Sequence, residues 1–228
     1  MAIPDYPQAR IVFCDLDNTL YGGTMGIDIA RHLLSGLKAL KIIPRLTATM
    51  AMYLAGRAQM DDFIQASSAA FRGEDKISGY ARVREGTRRH CLHKIYVETE
   101  AALRLYSGRG VPVVVMGTAP QPAVEMIAEA VGATRAVGTE MEIDAQGRMT
   151  DRPIRPVPHG NGKLEIVKKV CGELGIPLSD AVYLGDSPAD AAVLSEVGFP
   201  ICINPRGELN DIARARSWPV HSTSRTRG

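Results

Sequence analysis

The chain has no two cysteines placed to act together. Cys14, Cys91, Cys171 and Cys202 are scattered through 228 residues with no CxxC and no Cys/His cluster, so neither a disulfide framework nor a zinc site is encoded by spacing. Reduced, buried thiols in a cytoplasmic protein are the expectation. An excess of one charge is also missing. The 27 Lys and Arg against 25 Asp and Glu leave a formal net charge of +2, which gives no electrostatic reason for nucleic acid or an anionic membrane as partner. The only dense basic stretches, "REGTRRH" and the terminal "RTRG", read as a solvated helix face and a frayed end. No apolar run reaches ~18 residues, and "MAIPDYPQAR" has no basic segment leading into an apolar one, so a soluble, unexported protein is expected. There is no internal repeat and no low-complexity segment.

What is present is a hydrophobic fraction of 45%, enough for a sizeable core. Short apolar runs at 11–15, 111–117, 181–186 and 199–204 are each followed by a polar turn and then a helical pattern, as parallel strands covered on both faces would be. The spacing predicts helices over 122–132, 163–175 and 188–198, with Pro and Gly marking several of the ends. "RAVGTEMEIDAQGRMTDRPI" reads as strand, hairpin, strand with its turn at Ala145-Gln146-Gly147. Between the first and second strands, from Ile27 to about Arg104, the pattern is helical throughout, and a connection of that length must be a structure in its own right. The fold class expected is α/β, a Rossmann-like doubly wound parallel sheet formed by residues 1–22 and 105–228, with a helical domain, 23–104, inserted after the first strand.

"IVFCDLDNTLYGG" ends an apolar run in two carboxylates, Asp15 and Asp17. In extended backbone residues i and i+2 point the same way, so the two charges crowd. A cation between them, protonation of one, or splaying into solvent would each relieve the repulsion. Open parallel sheets bind ligands beyond the carboxyl ends of their strands. There the sequence offers Asp15, Asp17 and Thr19 after the first strand, Thr118 after the second, Asp186 and Asp190 in "GDSPAD", and Lys163 where a helix opens after Gly160-Asn161-Gly162. Carboxylate and carbonyl oxygens suit a hard cation such as Mg²⁺, held by Asp15, Asp186 and the Asp17 backbone. Lys163, Thr118 and loop amides suit the oxygens of a phosphoryl group. The remaining carboxylates would divide into nucleophile and acid/base.

Four motifs in this order, "DLDNT", Thr118, Lys163 and "GDSPAD", resemble the haloacid dehalogenase superfamily of phosphohydrolases over nearly the whole chain, from Ile11 to about Pro219. The resemblance is to subfamily IB, the group with a helical (type C1) cap after strand one that includes phosphoserine phosphatase. It implies that Asp15 attacks phosphorus and that Asp17 protonates the leaving oxygen and then activates water. It implies that Asp15, Asp17 (through its carbonyl) and Asp186 hold Mg²⁺, with Asp190 a further ligand or a support for the metal's waters. Thr118 and Lys163 would bind the phosphoryl group, with Thr19 beside them. The expected function is a Mg²⁺-dependent phosphomonoesterase acting on a small phosphorylated metabolite through an aspartyl-phosphate, as a monomer or homodimer.

Two positions depart from that pattern. Ala189 stands where fourth motifs of this group often have Asn, and Thr24 stands where phosphoserine phosphatases carry the Glu that holds the substrate amine, so L-phosphoserine is not expected as the preferred substrate. Asp28, a helical turn further on, could substitute for that Glu, and Arg72 could reach an anionic group of the substrate or cap a helix end. Taken singly, Asp186 reads equally as a helix N-cap, Asp190 as first-turn charge and Lys163 as an exposed helix lysine. His32, His90, His93 and His159 lack ligand spacing and read as structural, and the methionines of "TATMAMYLAGRAQM" read as packing of the helical domain. The rival functions are a receiver-like phospho-acceptor module and a catalytically weak relative that binds a phosphometabolite or a partner.

Overall fold

The apolar run at the start of the chain forms β1 (Ile11–Asp15), and all five residues are buried, because this strand lies in the middle of a sheet covered on both faces. The computed structural model describes residues 3–33, 60–69 and 71–228, with positions 44, 47–49, 51, 52, 55 and 57 between them. After β1 the described helices are α1 (Met25–Leu33), α2 (Met60–Ser68), α3 (Lys76–His90) and α4 (Val97–Gly108). β2 (Val113–Pro120), α5 (Gln121–Val131) and β3 (Arg135–Thr139) follow, and then a small hairpin of β4 (Met141–Ile143) and β5 (Met149–Pro153). The chain returns through α6 (Asn161–Leu174) to β6 (Ala181–Gly185), a 3-10 turn over Pro188–Asp190, the short α7 (Ala191–Leu194), β7 (Phe199–Ile203), α8 (Glu208–Ala215) and β8 (Val220–His221).

The six-stranded sheet has the order β3-β2-β1-β6-β7-β8, and every pairing in it is parallel. The chain winds outward from β1 through β2 and β3, then crosses back to β6 on the other side. The order therefore reverses between β1 and β6, where the crevice of a doubly wound sheet opens. Alternation along β1 feeds two cores. Val12 and Cys14 face Leu103 and Tyr106 of α4 and Val124 and Ile127 of α5. Ile11 and Phe13 face Ile166, Val167 and Val170 of α6, together with Leu209 of α8.

Sequence signals account for the boundaries. Pro122 stands in the first turn of α5 and Gly132, at φ +73°, closes it, a left-handed position that a Cβ would strain. Asp75 caps α3 by accepting the Ser78 N–H at 3.0 Å. The predicted hairpin turn is present, held by Asp144 Oδ1, which accepts the N–H groups of Gln146 and Arg148. The helix expected over 188–198 is shorter, a 3-10 turn and then one α turn, because the chain must bring Gly198 against the Ser179 carbonyl, where a Cβ would lie 1.8 Å from that oxygen. β8, two residues on the sheet edge, was too short to show as a pattern.

The two connections between the helical insertion and the sheet run side by side. Gly22 N–H donates to Lys94 O and Tyr96 N–H to Leu20 O, both at 2.8 Å, with Tyr21 opposite Ile95. The end of the chain, read as frayed, adds a third strand to this ribbon. Val97 N–H donates to Arg225 O at 3.0 Å, Arg227 N–H donates to Ile95 O at 3.1 Å, and Arg227 pairs with Glu100 at 2.6 Å. Backbone pairing and a charge-assisted contact hold a segment whose composition alone suggests a loose end. "REGTRRH", by contrast, is the solvated face expected, with Arg84, Arg88 and Arg89 exposed and paired to Glu125 and Glu85. All four cysteines are buried and free. Among the described residues no helix is long and apolar enough to cross a membrane. Met50 and the side chains of His32 and Met60 lie outside the described residues, and Met52, in the same "TATMAMYLAGRAQM" stretch, is exposed.

Candidate active site

The alternation that sends Ile11 and Phe13 toward α6 sends Asp15 the same way, and α6 carries Lys163 in its first turn. The Lys163 ammonium is 2.5 Å from Asp15 Oδ1 and 2.6 Å from Asp190 Oδ1, and all three side chains are buried. Asp190 is held on every side. Its Oδ1 also accepts the Tyr183 hydroxyl at 2.6 Å, while Oδ2 accepts the Ser187 hydroxyl and the backbone N–H groups of Asp186 and Ser187. Gly185 makes this approach possible, since a Cβ there would lie 2.7 Å from Asp190 Cβ and Cγ. Gly117 serves β2 in the same way, where a Cβ would meet Leu16 Cβ at 2.6 Å. Asp15 pairs with Met116 in the parallel ladder, so Thr118 lies two residues further along, half-buried at the end of β2.

The rest of "DLDNT" folds around the same point. Thr19 is fully buried and donates to Asp15 Oδ2 at 3.4 Å. Asp17 Oδ1 accepts the N–H of Met25, the first residue of α1, at 2.9 Å, which ties one acid directly to the base of the insertion. Asn18 adopts φ +58°, a left-handed turn that Asn tolerates better than most residues. Asp186 projects from the end of β6, and its Oδ2 is the one buried carboxylate oxygen among the described residues with no hydrogen-bond donor. Arg206 Nε lies 2.7 Å from that oxygen, but its N–H does not point at it.

Electrostatics follow from burial. Asp15 is pushed up to about 6 by desolvation, against the pull of Lys163. Asp17 is raised to about 7, again by burial, with the Met25 N–H opposing. Asp186 rises to about 8 through burial and the nearby charges of Asp15 and Asp190. Burial works against the Lys163 ammonium too, yet Asp15 and Asp190 outweigh it and hold its pKa above the ordinary lysine value. For Asp190, burial is overcome by Lys163 and the hydroxyls of Tyr183 and Ser187, so its pKa lies below the usual carboxylate value. One buried cation, Lys163, thus faces three buried acids, with the half-exposed Arg206 beside Asp186, and one carboxylate oxygen from each of Asp15, Asp186 and Asp190 lies within 4.8 Å of the others. Two like charges this close call for a cation or a proton.

The structure therefore brings together Asp15, Asp17, Thr19, Lys163, Asp186 and Asp190, with Thr118 at the rim. Lys163 is not an exposed helix lysine. Asp190 does take part in a capping box with Ser187, so its bland reading holds alongside the network. Thr24 is exposed, and its carbonyl accepts the N–H groups of Ile27 and Asp28 as α1 begins. The Asp28 carboxylate already accepts the Tyr21 hydroxyl at 2.6 Å and the Lys94 ammonium at 2.7 Å. Arg72 is exposed and pairs with Asp151 of β5 at 3.3 Å, beside the hairpin. His90 and His93 are exposed and His159 is half-buried.

Sequence reasoning missed Tyr183, Ser187, Asn204 and Arg206. Tyr183 lies beside Phe13 in the ladder, on the face that carries Asp15, a register the sequence alone does not supply. Arg206 follows the C-terminal end of β7, an edge the census of strand ends should have included. Asn204 links two loops, donating to Asn18 O at 3.2 Å while accepting the Thr223 N–H at 2.9 Å, and nothing in its neighbours announces that.

The family model described as haloacid dehalogenase-like hydrolase matches residues 12–195. The chain is 27% identical to the phosphoserine phosphatase SerB1 of Mycobacterium tuberculosis over 222 residues, 95% of this chain and 72% of that one. Its fold is similar to that of a Bordetella pertussis protein of unknown function, with a TM-score of 0.83 and 24% identity over 93% of this chain and 97% of the other. It is also similar to a phosphoserine phosphatase solved as a phospho-aspartyl intermediate analogue, with a TM-score of 0.67 and 19% identity over 96% and 94% of the two chains.

Proposed function

The chain belongs to the haloacid dehalogenase-like hydrolase family, and from that premise we propose that it is a Mg²⁺-dependent phosphomonoesterase acting on a small phosphorylated metabolite through an aspartyl-phosphate. The observation that carries this reading is the Asp15–Lys163–Asp190 chain at the sheet's switch point, with Asp17 two residues past Asp15. The buried Oδ2 of Asp186 beside Asp15 fits a hard cation, because it has lost its hydration, accepts no hydrogen bond, and among the described residues is faced only by the half-exposed Arg206 guanidinium. Bound by Asp15, Asp186 and the Asp17 carbonyl, Mg²⁺ would draw negative charge from the transferring phosphoryl group.

The residues divide the chemistry. Lys163 keeps Asp15 ionised despite its burial, and an Asp15 carboxylate oxygen bonds to phosphorus as the ester oxygen leaves. Asp17, raised to about 7, still holds a proton near neutral pH and gives it to that oxygen. The same group then accepts a proton from water, which attacks phosphorus, frees phosphate and restores Asp15. Lys163 and Thr118 hold the phosphoryl oxygens, and Thr19 orients Asp15. Asp190 serves as a positioning residue for Lys163. Its two oxygens already accept five hydrogen bonds, which leaves little capacity for a metal. The helices between the two connections at 20–22 and 94–96 form the cap, closing on that ribbon to exclude water.

A screen of phosphate release over small phosphate esters, with and without Mg²⁺, tests this function. Turnover that depends on Mg²⁺ and is abolished in Asp15→Asn is expected. Turnover by Asp15→Asn near the wild-type rate would overturn it.

A further inference from the structure

Arg206 sits in the first loop beyond β7, and three contacts fix where that loop lies. Asn204, at φ +45°, donates its side-chain amide to Asn18 O and accepts the Thr223 N–H, and Arg206 N–H donates to Asp186 O at 2.9 Å. The loop that carries Arg206 is therefore anchored to both acidic loops at once, through the Asn204 side chain and the Arg206 backbone. The side chain is not fixed in this way. It is 58% exposed, yet its Nε rests 2.7 Å from Asp186 Oδ2, the oxygen that has no hydrogen-bond donor.

We propose that Arg206 is a built-in counter-cation for Asp186 that exchanges with the divalent ion, occupying the metal-facing side of the carboxylate until the ion displaces it. This rests on the metal site of the proposed function. The argument compares the two cations at one oxygen. A guanidinium whose N–H points elsewhere offers Asp186 a charge without a directed bond, and as a half-exposed group it is screened and cheap to return to water. A dication bonds the oxygen directly at a much shorter distance and carries twice the charge. The two cannot both lie against the same oxygen without strong mutual repulsion. The dication should win while Arg206 swings out on its anchored backbone. The loop anchor keeps it near enough to return, so that Asp186 is not left a buried, unpaired charge when the ion leaves.

The test is Mn²⁺ binding followed by electron paramagnetic resonance, with Mg²⁺ as competitor, in the full-length wild type, Arg206→Gln and Arg206→Lys, beside thermal melts in chelator. Removing the competing charge should tighten ion binding about two- to fivefold in Arg206→Gln and lower the melting temperature of the metal-free protein. Arg206→Lys, which keeps the charge, should bind close to wild type. Binding by Arg206→Gln that is unchanged or weaker, or equal tightening in both variants, overturns the exchange and leaves the metal site standing. If no variant, wild type included, binds either ion, the metal site of the proposed function falls and the exchange falls with it.

Discussion

At the scale of single residues the site is built against stability. Asp17 sits with a pKa of about 7 instead of 3.8, chiefly because it is buried. A carboxyl whose folded pKa is raised binds its proton more tightly in the native state, so stability is full below about 4 and is lost as pH rises toward about 7. Asn at this position has no charge to bury, and its carbonyl can still accept the Met25 N–H. Asp17→Asn in chelator should therefore melt near wild type at about pH 4 and several degrees higher at about pH 8. Melting curves that stay superimposed across that range would show that Asp17 is not desolvated as described. "DLDNT" and "GDSPAD" were legible because they put charge where a parallel strand must end, and Lys163 because it opens a helix after Gly160-Asn161-Gly162. Tyr183 was hidden because an aromatic in a buried strand reads as core, and its hydroxyl's partner, Asp190, is seven residues away.

Among the elements, the insertion and the sheet meet in a three-stranded ribbon made from 20–22, 94–97 and 225–227. Gly22-Gly23 was legible as a linker by composition, whereas 94–97 was not, because the helical pattern of the sequence runs on to about Arg104. That stretch divides because Leu103 and Tyr106 of α4 bury in the same core as β1, while Ile95 and Tyr96 must stay extended to pair. The third strand was not legible, since its backbone pairing depends on where β8 delivers the chain, and Thr223 then bonds Glu98. Removing residues 224–228 should expose the Val97 N–H, whose acceptor is Arg225 O. Hydrogen exchange at 95–97 should then rise well above that of the intact protein while β1 and β6 stay protected. Unchanged exchange at Val97 would mean the tail does not hold the ribbon.

For the whole molecule, a doubly wound parallel sheet followed from apolar runs alternating with helical patterns, whereas the strand order and its reversal between β1 and β6 came from the structure. Substrate choice does not follow from such rules, because it depends on groups that come together across the insertion. Thr24 is exposed and the Asp28 carboxylate is already matched by Lys94 and Tyr21, so among the described residues the start of α1 offers no acid left to neutralise a substrate ammonium. An ammonium desolvated without a partner costs several kcal/mol. Phosphate esters lacking an amine should therefore exceed L-phosphoserine in kcat/KM by at least about tenfold, and phosphoserine as the best substrate would contradict this reading.

The central claim is that Asp15 takes the phosphoryl group while Asp17 supplies and removes the proton. Asp17→Asn, incubated with p-nitrophenyl phosphate and Mg²⁺, has a leaving group that needs no proton but lacks the base that would activate water, so the acyl phosphate should accumulate. Borohydride reduces an acyl phosphate to the alcohol, and peptide mass spectrometry then reads the converted residue. The account predicts homoserine at position 15, dependent on substrate and absent from a control without it. Intact Asp15 after turnover, or conversion of a different carboxylate, would contradict it.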